Sequence, residues 1–169
     1  RLPAVRAAAG DRAVLRAIHF FGDDARVLKQ AAALRSGNFA EFLRLVVESG
    51  RSSFEYLQNV YPASHPEEQG VSLALALCER MLAPRGGAWR VHGGGFAGTV
   101  QAYVPDGFLP EFTRGMEAVF GAGCAENLSS GWPGEFGAVM IRVPLQTRQP
   151  KNTAEAKTVL KRSRRPGHT

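Results

Sequence analysis

The segment RVHGGGFAGTVQAYV, residues 90–104, sets three consecutive glycines between two runs that favour strands. Ala88 to His92 is a short strand candidate. After the glycines, Thr99 to Val104 alternates Val100, Ala102 and Val104 with Thr99, Gln101 and Tyr103, which is the period of a strand. Gly93, Gly95 and Gly98 match G-x-G-x-x-G, and Val100 extends the match to G-x-G-x-x-G-x-V. Two phosphate-binding patterns share that spacing. In a dinucleotide fold the glycines must open a helix, yet strand-forming residues follow here. A protein-kinase glycine loop does join two strands, but it needs a lysine on the next strand and later H-R-D and D-F-G motifs. No lysine occurs between Lys29 and Lys151, and neither motif is present. A plain hairpin stays open, since glycine permits positive φ and close backbone packing. It does not explain why three adjacent glycines are flanked by His92 and Phe96.

Upstream of this segment the pattern is helical. Asp11 to about Phe21 places Val14, Leu15 and Ile18 on one face. Asp24 can cap a second helix, carrying Val27, Leu28, Ala31 and Leu34. Gly37 stops it and Asn38 can cap a third, in which Phe39, Phe42, Leu43 and Val46 form an i, i+3, i+4, i+7 stripe. Residues 52–55, SSFE, have the form of a capping box, predicting a short helix with Phe54 and Leu57 inward. Residues 64–67, SHPE, repeat the start signal and predict a buried helix over 66–81. Downstream, residues 105–107, PDG, read as a turn. Pro110 then starts a helix with Phe112, Met116, Val119 and Phe120 inward, ended by Gly121 and Gly123. A helical half followed by β, glycine loop, β and α predicts the α+β class with a small antiparallel sheet, not an alternating α/β fold.

Composition narrows the function classes. The chain has 169 residues, enough for one ordinary core. Its apolar runs fall short of the roughly 18 residues of a membrane span, so no membrane partner is expected. Cys78 and Cys124 form no C-x-x-C pair; Cys78 reads as a buried free thiol, which fits a cytoplasmic location. His19, His65, His92 and His168 lack metal-ligand spacing. Residues 1–124 carry 13 Lys+Arg against 12 Asp+Glu, while residues 125–169 carry 8 against 3, so the excess positive charge lies at the end of the chain. The body therefore lacks the composition of a nucleic-acid-binding domain. The basic run Lys157 to Arg165 has no aromatic interleaving, and no specific nucleic acid is expected as a partner.

GGGFAG at residues 93–98, preceded by RVH, resembles the third signature motif of the GHMP sugar and metabolite kinases, and within them the galactokinases. An ordered series upstream extends the resemblance: RAIHFF at 16–21, ARV at 25–27, LRSGNF at 34–39, LVVESG at 45–50 and SFEYLQ at 53–58. The series is similar to the C-terminal region of galactokinases, particularly of bacterial type, and covers roughly residues 12–124. The resemblance implies a two-lobed enzyme with its active site between the lobes. Gly93, Gly94, Gly95, Phe96 and Gly98 would pack beside the ATP phosphate loop of the first lobe. Tyr56 is the implied sugar contact, with Tyr61 as its rival. His92 would lie near the site, or would simply end a strand. The implied reaction moves the γ-phosphoryl of ATP, with Mg²⁺, onto the anomeric hydroxyl of galactose. In such enzymes the phosphate loop, the catalytic Asp and its nearby Arg lie in the N-terminal half, and Asp11, Asp23, Asp24 and Asp106 match no such motif. No catalytic residue is therefore expected in this chain, and the isolated chain should not turn over. A non-catalytic galactokinase-like module binding a sugar or a protein is the rival reading.

The sequence departs from the family after Cys124, where a closing strand similar to I-R-P-V-G-G is expected. Ser129, Ser130, Gly131 and Trp132 can be encoded TCG-TCC-GGT-TGG, and a shift of one base then reads Arg-Pro-Val-Gly. These observations divide the chain into a galactokinase-like domain, 1–124, with the N-terminal lobe missing, and an atypical basic tail, 125–169. The tail is expected to be disordered and altered in reading frame, although residues 139–143 could form a strand at the vacant sheet edge.

Overall fold

The computed structural model describes residues 1–95, 98–128 and 136–145. Four antiparallel strands make one sheet: β1 (Ala88–Val91), β2 (Thr99–Pro105), β3 (Ala125–Asn127) and β4 (Phe136–Arg142), in the order β1-β2-β4-β3. Register puts Val91 opposite Val100, Val100 opposite Ile141 and Ala102 opposite Val139. The period of two therefore collects valines and isoleucine on one face. That face is buried under α3 (Gly70–Leu82) and α4 (Leu109–Phe120), through Val71, Ala74, Cys78, Leu82, Phe112 and Met116. Each large side chain so buried contributes ~1.5–3 kcal/mol. The opposite face offers Ala88, Tyr103 and Ala138 to α2 (Phe39–Ser52), whose Phe42, Leu43 and Val46 cover it. The Phe42 ring meets Tyr103 edge-on at 5.4 Å between centroids. Outermost on this side is α1 (Leu2–Arg35), which adds Ala33 to the same cluster. Helices thus cover both faces of an antiparallel sheet, the α+β class read from the sequence.

Several local expectations are corrected. Two helices, from Asp11 and from Asp24, were expected before Gly37; one helical stretch runs through both, and the kink in α1 lies ahead of them at Gly10, where φ is +78° and ψ +171°. Asp24 caps nothing. Its neighbour Asp23 turns inward and accepts hydrogen bonds from Ser49 Oγ at 2.5 Å and Arg26 at 2.9 Å, so the chain gains more by staying helical here. Ile18, expected inside, is 45% exposed. Asn38 does cap α2, accepting from the Glu41 N–H at 3.1 Å. The expected capping box at Ser52 is absent. Ser52 belongs to the last turn of α2, the chain widens into a π-helix over Ser53–Leu57, and both serine hydroxyls go to tertiary partners. Phe54 faces outward instead of inward. The SHPE stretch is a turn, and α3 starts only at Gly70. In α4, Phe112 and Met116 are buried as expected, whereas Val119 is half exposed.

The sheet continues past the expected boundary at 124. β4 lies between β2 and β3, pairing with β2 from Phe136 to Arg142, so it is interior to the sheet and not a strip on its edge. Val143 follows it and is buried against two glycines. A Cβ at Gly70 would come within 2.6 Å of the Val143 side chain, and one at Gly98 within 2.6 Å of its carbonyl oxygen. The packed body therefore includes 125–127 and 136–143. The rest of the tail expected to be disordered, residues 129–135 and 146–169, lies outside the described residues.

Candidate functional site

The glycine loop joins β1 to β2 as an antiparallel connection, so the strand expected after the glycines is present and a dinucleotide turn is excluded. The His92 N–H donates to the Thr99 carbonyl at 3.0 Å and closes the loop. Inside it, Gly98 donates to the Gly95 carbonyl at 3.0 Å and Gly95 donates to the His92 carbonyl at 3.4 Å. Gly93, Gly95 and Gly98 have φ of +60°, +87° and +75°, the left-handed region that only glycine occupies cheaply. Gly95 and Gly98 are also held by space. A Cβ at Gly95 would overlap the Asn59 carbonyl oxygen, and Gly98 abuts Val143 as described.

Gly94 is different. Its φ is not in the left-handed region, and an added Cβ would meet nothing within 4 Å. It is exposed at the tip of the loop. Among the described residues, neither packing nor backbone geometry demands a glycine there. The N–H groups of Gly93 and Gly94 have no partner among the described residues. Phe96, the remaining member of the predicted motif, lies outside the described residues.

Behind the loop stands a polar residue that sequence reasoning missed. Asn59 is 2% exposed, and its side-chain N–H donates to the Gly94 carbonyl at 3.1 Å. Its Oδ1 accepts from Ser53 Oγ at 3.1 Å. Gln58, at φ +52° and ψ +42°, ends the π-helix in a left-handed turn that carries Asn59 inward. No periodicity announces this arrangement, because the residues are linked through a π-turn and a loop tip distant in sequence.

A second polar cluster joins α1 to α2. His19 Nδ1 lies 3.0 Å from Ser52 Oγ, and Arg26 bridges Asp23 at 2.9 Å and Glu48 at 3.0 Å. His19, Arg26, Glu48 and Ser49 all come from the segments on which the family resemblance rests. Burial pushes the His19 pKa down, partly offset by the Asp23 carboxylate. The trio Ser52, His19 and Asp23 is not a nucleophilic triad. His19 Nε2 is 3.9 Å from Asp23, and Ser52 is buried within a helix. The cluster fixes one helix on the other.

Tyr56 is half-buried in the π-helix. Its rival Tyr61 lines a small crevice with Gly95, Gly98 and Val143. A larger cleft of about 360 Å³ opens between α2 and α3 at the outer edge of β1, lined by Phe54, Glu79, Trp89 and Arg90 among others. Neither tyrosine nor any loop glycine lines it. Among the described residues, no three His, Cys, Asp or Glu side chains stand together as a metal site, and no helix is long and apolar enough to cross a membrane.

Over 107 residues the sequence is 36% identical to galactokinase of Homo sapiens, a stretch that covers 63% of this chain and 25% of the human protein. The chain thus spans about a quarter of the length of that relative. No family model and no solved structure matches it. The sequence likeness, together with an α+β body built on a small antiparallel sheet, makes the chain galactokinase-like over the matched stretch.

Proposed function

We propose that this chain is the C-terminal portion of an ATP-dependent galactokinase of the GHMP family and bacterial type, acting in the cytoplasm. The complete enzyme would transfer the γ-phosphoryl group of ATP to the anomeric hydroxyl of galactose. The observation that carries this reading is Gly94. A glycine that no packing among the described residues requires, at an exposed tip where the Gly93 and Gly94 N–H groups have no partner among the described residues, suits close approach by something outside this chain. Phosphoryl transfer rests on positioning and on stabilising charge that spreads over phosphate oxygens, and backbone N–H groups supply such stabilisation without a charged side chain. Gly93 and Gly94 would face the phosphates from one side. Mg²⁺ would neutralise phosphate charge; the residues described here offer no carboxylate cluster to hold it, so its ligands and the catalytic acid would come from the N-terminal lobe. Galactose would meet Tyr56 or Tyr61.

The test joins this chain to the N-terminal portion of a galactokinase and measures galactose phosphorylation with MgATP. The joined protein should turn over, and Gly94→Val should abolish most of that turnover while the fold persists. A joined, folded protein that binds galactose but never phosphorylates it would favour the non-catalytic module instead.

A further inference from the structure

We propose that Asn59 sets the polarity of the glycine loop, and that the loop so held is by itself a weak site for a phosphate anion. The proposal rests on the phosphate-facing reading of the loop and names the residue that makes it possible.

A trans peptide points its carbonyl and its N–H in opposite directions. The Gly94–Gly95 peptide is flanked by two glycines, so the barrier that side chains normally set against flipping is missing. One orientation turns the Gly94 carbonyl outward, where its partial negative charge would repel an anion. The observed orientation turns it inward onto the Asn59 amide, at 3.1 Å, and sends the Gly95 N–H back toward the His92 carbonyl. The exposed tip is left with the N–H groups of Gly93 and Gly94, which have no partner among the described residues.

Asn59 can hold that orientation because its own amide is fixed. Ser53 Oγ donates to Oδ1, which leaves Nδ2 as the atom facing Gly94. The side chain is almost wholly buried, so water does not compete for the bond from Ser53, while the bond to Gly94 is partly buried. The backbone of Asn59 also contacts Gly95 so closely that no Cβ fits between them. One residue thus holds the Gly94 carbonyl and packs against Gly95. Asn59 touches no reacting atom; it is a positioning residue. Aspartate at 59 has the same shape but would present an oxygen to the Gly94 carbonyl, which favours the flipped peptide and adds negative charge behind it.

The 169-residue chain, isotope-labelled, is titrated with inorganic tripolyphosphate, and the amide signals are followed by NMR. The wild type should show saturable shifts at Gly93 and Gly94 in the millimolar range. Asn59→Asp should weaken these by roughly tenfold or more, and Ser53→Ala by a few-fold. The β2 amides report folding, and Ser53→Ala carries the test if Asn59→Asp does not fold. Wild-type shifts confined to the Lys and Arg residues after Arg142 would overturn the phosphate-facing reading of the loop, and this proposal with it. Equal affinities at Gly93 and Gly94 in wild type and folded variants would overturn the role of Asn59 alone.

Discussion

His19 Nδ1 sits 3.0 Å from Ser52 Oγ, joining the middle of α1 to the last turn of α2 in a place where the histidine is only 8% exposed. Burial is the main cause of the lowered His19 pKa, with Asp23 pulling the other way and Arg26 and Arg90 reinforcing the drop. The folded state therefore holds this histidine neutral where the unfolded chain would protonate it. Stability should be full above the unfolded histidine value of 6.5 and fall as pH drops below it toward the folded value. Urea midpoints measured between pH 7 and pH 5, above the carboxylate range, should decline in the wild type and flatten in His19→Asn. An equal slope in both proteins would place the titration elsewhere.

Arg26 is the hub of the same helix pair. Its guanidinium is mostly buried and reaches Asp23 and Glu48, the latter from a motif-bearing segment. Arg26→Ala should cost ~2 kcal/mol, because Asp23 loses a charged partner in a partly buried position. Glu41→Ala, which breaks an exposed pair with Arg44, should cost much less. Chemical unfolding of the two variants decides the order.

The loop glycines separate fold from function. Gly95→Ala places a Cβ on the Asn59 carbonyl at a positive φ and should destabilise by about 2 kcal/mol or more. Gly94→Val meets open space and should leave the unfolding midpoint near wild type. In the enzyme completed by an N-terminal lobe, Gly94→Val should nevertheless lower kcat/KM far more than Gly107→Ala in a remote turn. Small, equal effects on activity would reduce the loop to an ordinary hairpin connection.

Truncation locates the boundary of the body. A chain ending at Leu145 should keep the cooperative unfolding of the full protein, because β4 and Val143 are retained. A chain ending at Cys124 loses both β3 and β4, exposes the buried faces of Val100 and Ala102, and should not unfold cooperatively. Cooperative unfolding of the shorter chain would show that β4 contributes little.

The hairpin around the glycines was legible because Val100, Ala102 and Val104 alternate and no helix-opening pattern follows Gly98. The stripe Phe42, Leu43 and Val46 was legible for the same kind of reason, a single buried face with a single period. Helix ends were less so. Asp24 and Ser52 carry capping chemistry, but tertiary partners claim Asp23 and Ser52, and a local signal cannot anticipate a bond made 26 or 33 residues away. The π-helix, the inward turn of Asn59 and the interior position of β4 all depend on long-range packing, which leaves no periodic trace. At the site, the glycines drew attention by themselves; Asn59 did not, since a lone buried amide looks like any loop residue.

Galactose phosphorylation by two proteins, this chain alone and this chain joined to the N-terminal portion of a galactokinase, decides whether the glycine loop serves a phosphoryl transfer that needs the other lobe. With MgATP and galactose, the isolated chain should do no better than a blank, while the joined protein should turn over and lose that turnover on Gly94→Val. Turnover by the isolated chain that Gly94→Val abolishes would contradict the account, because a loop without a catalytic acid or a phosphate-binding lobe cannot supply it.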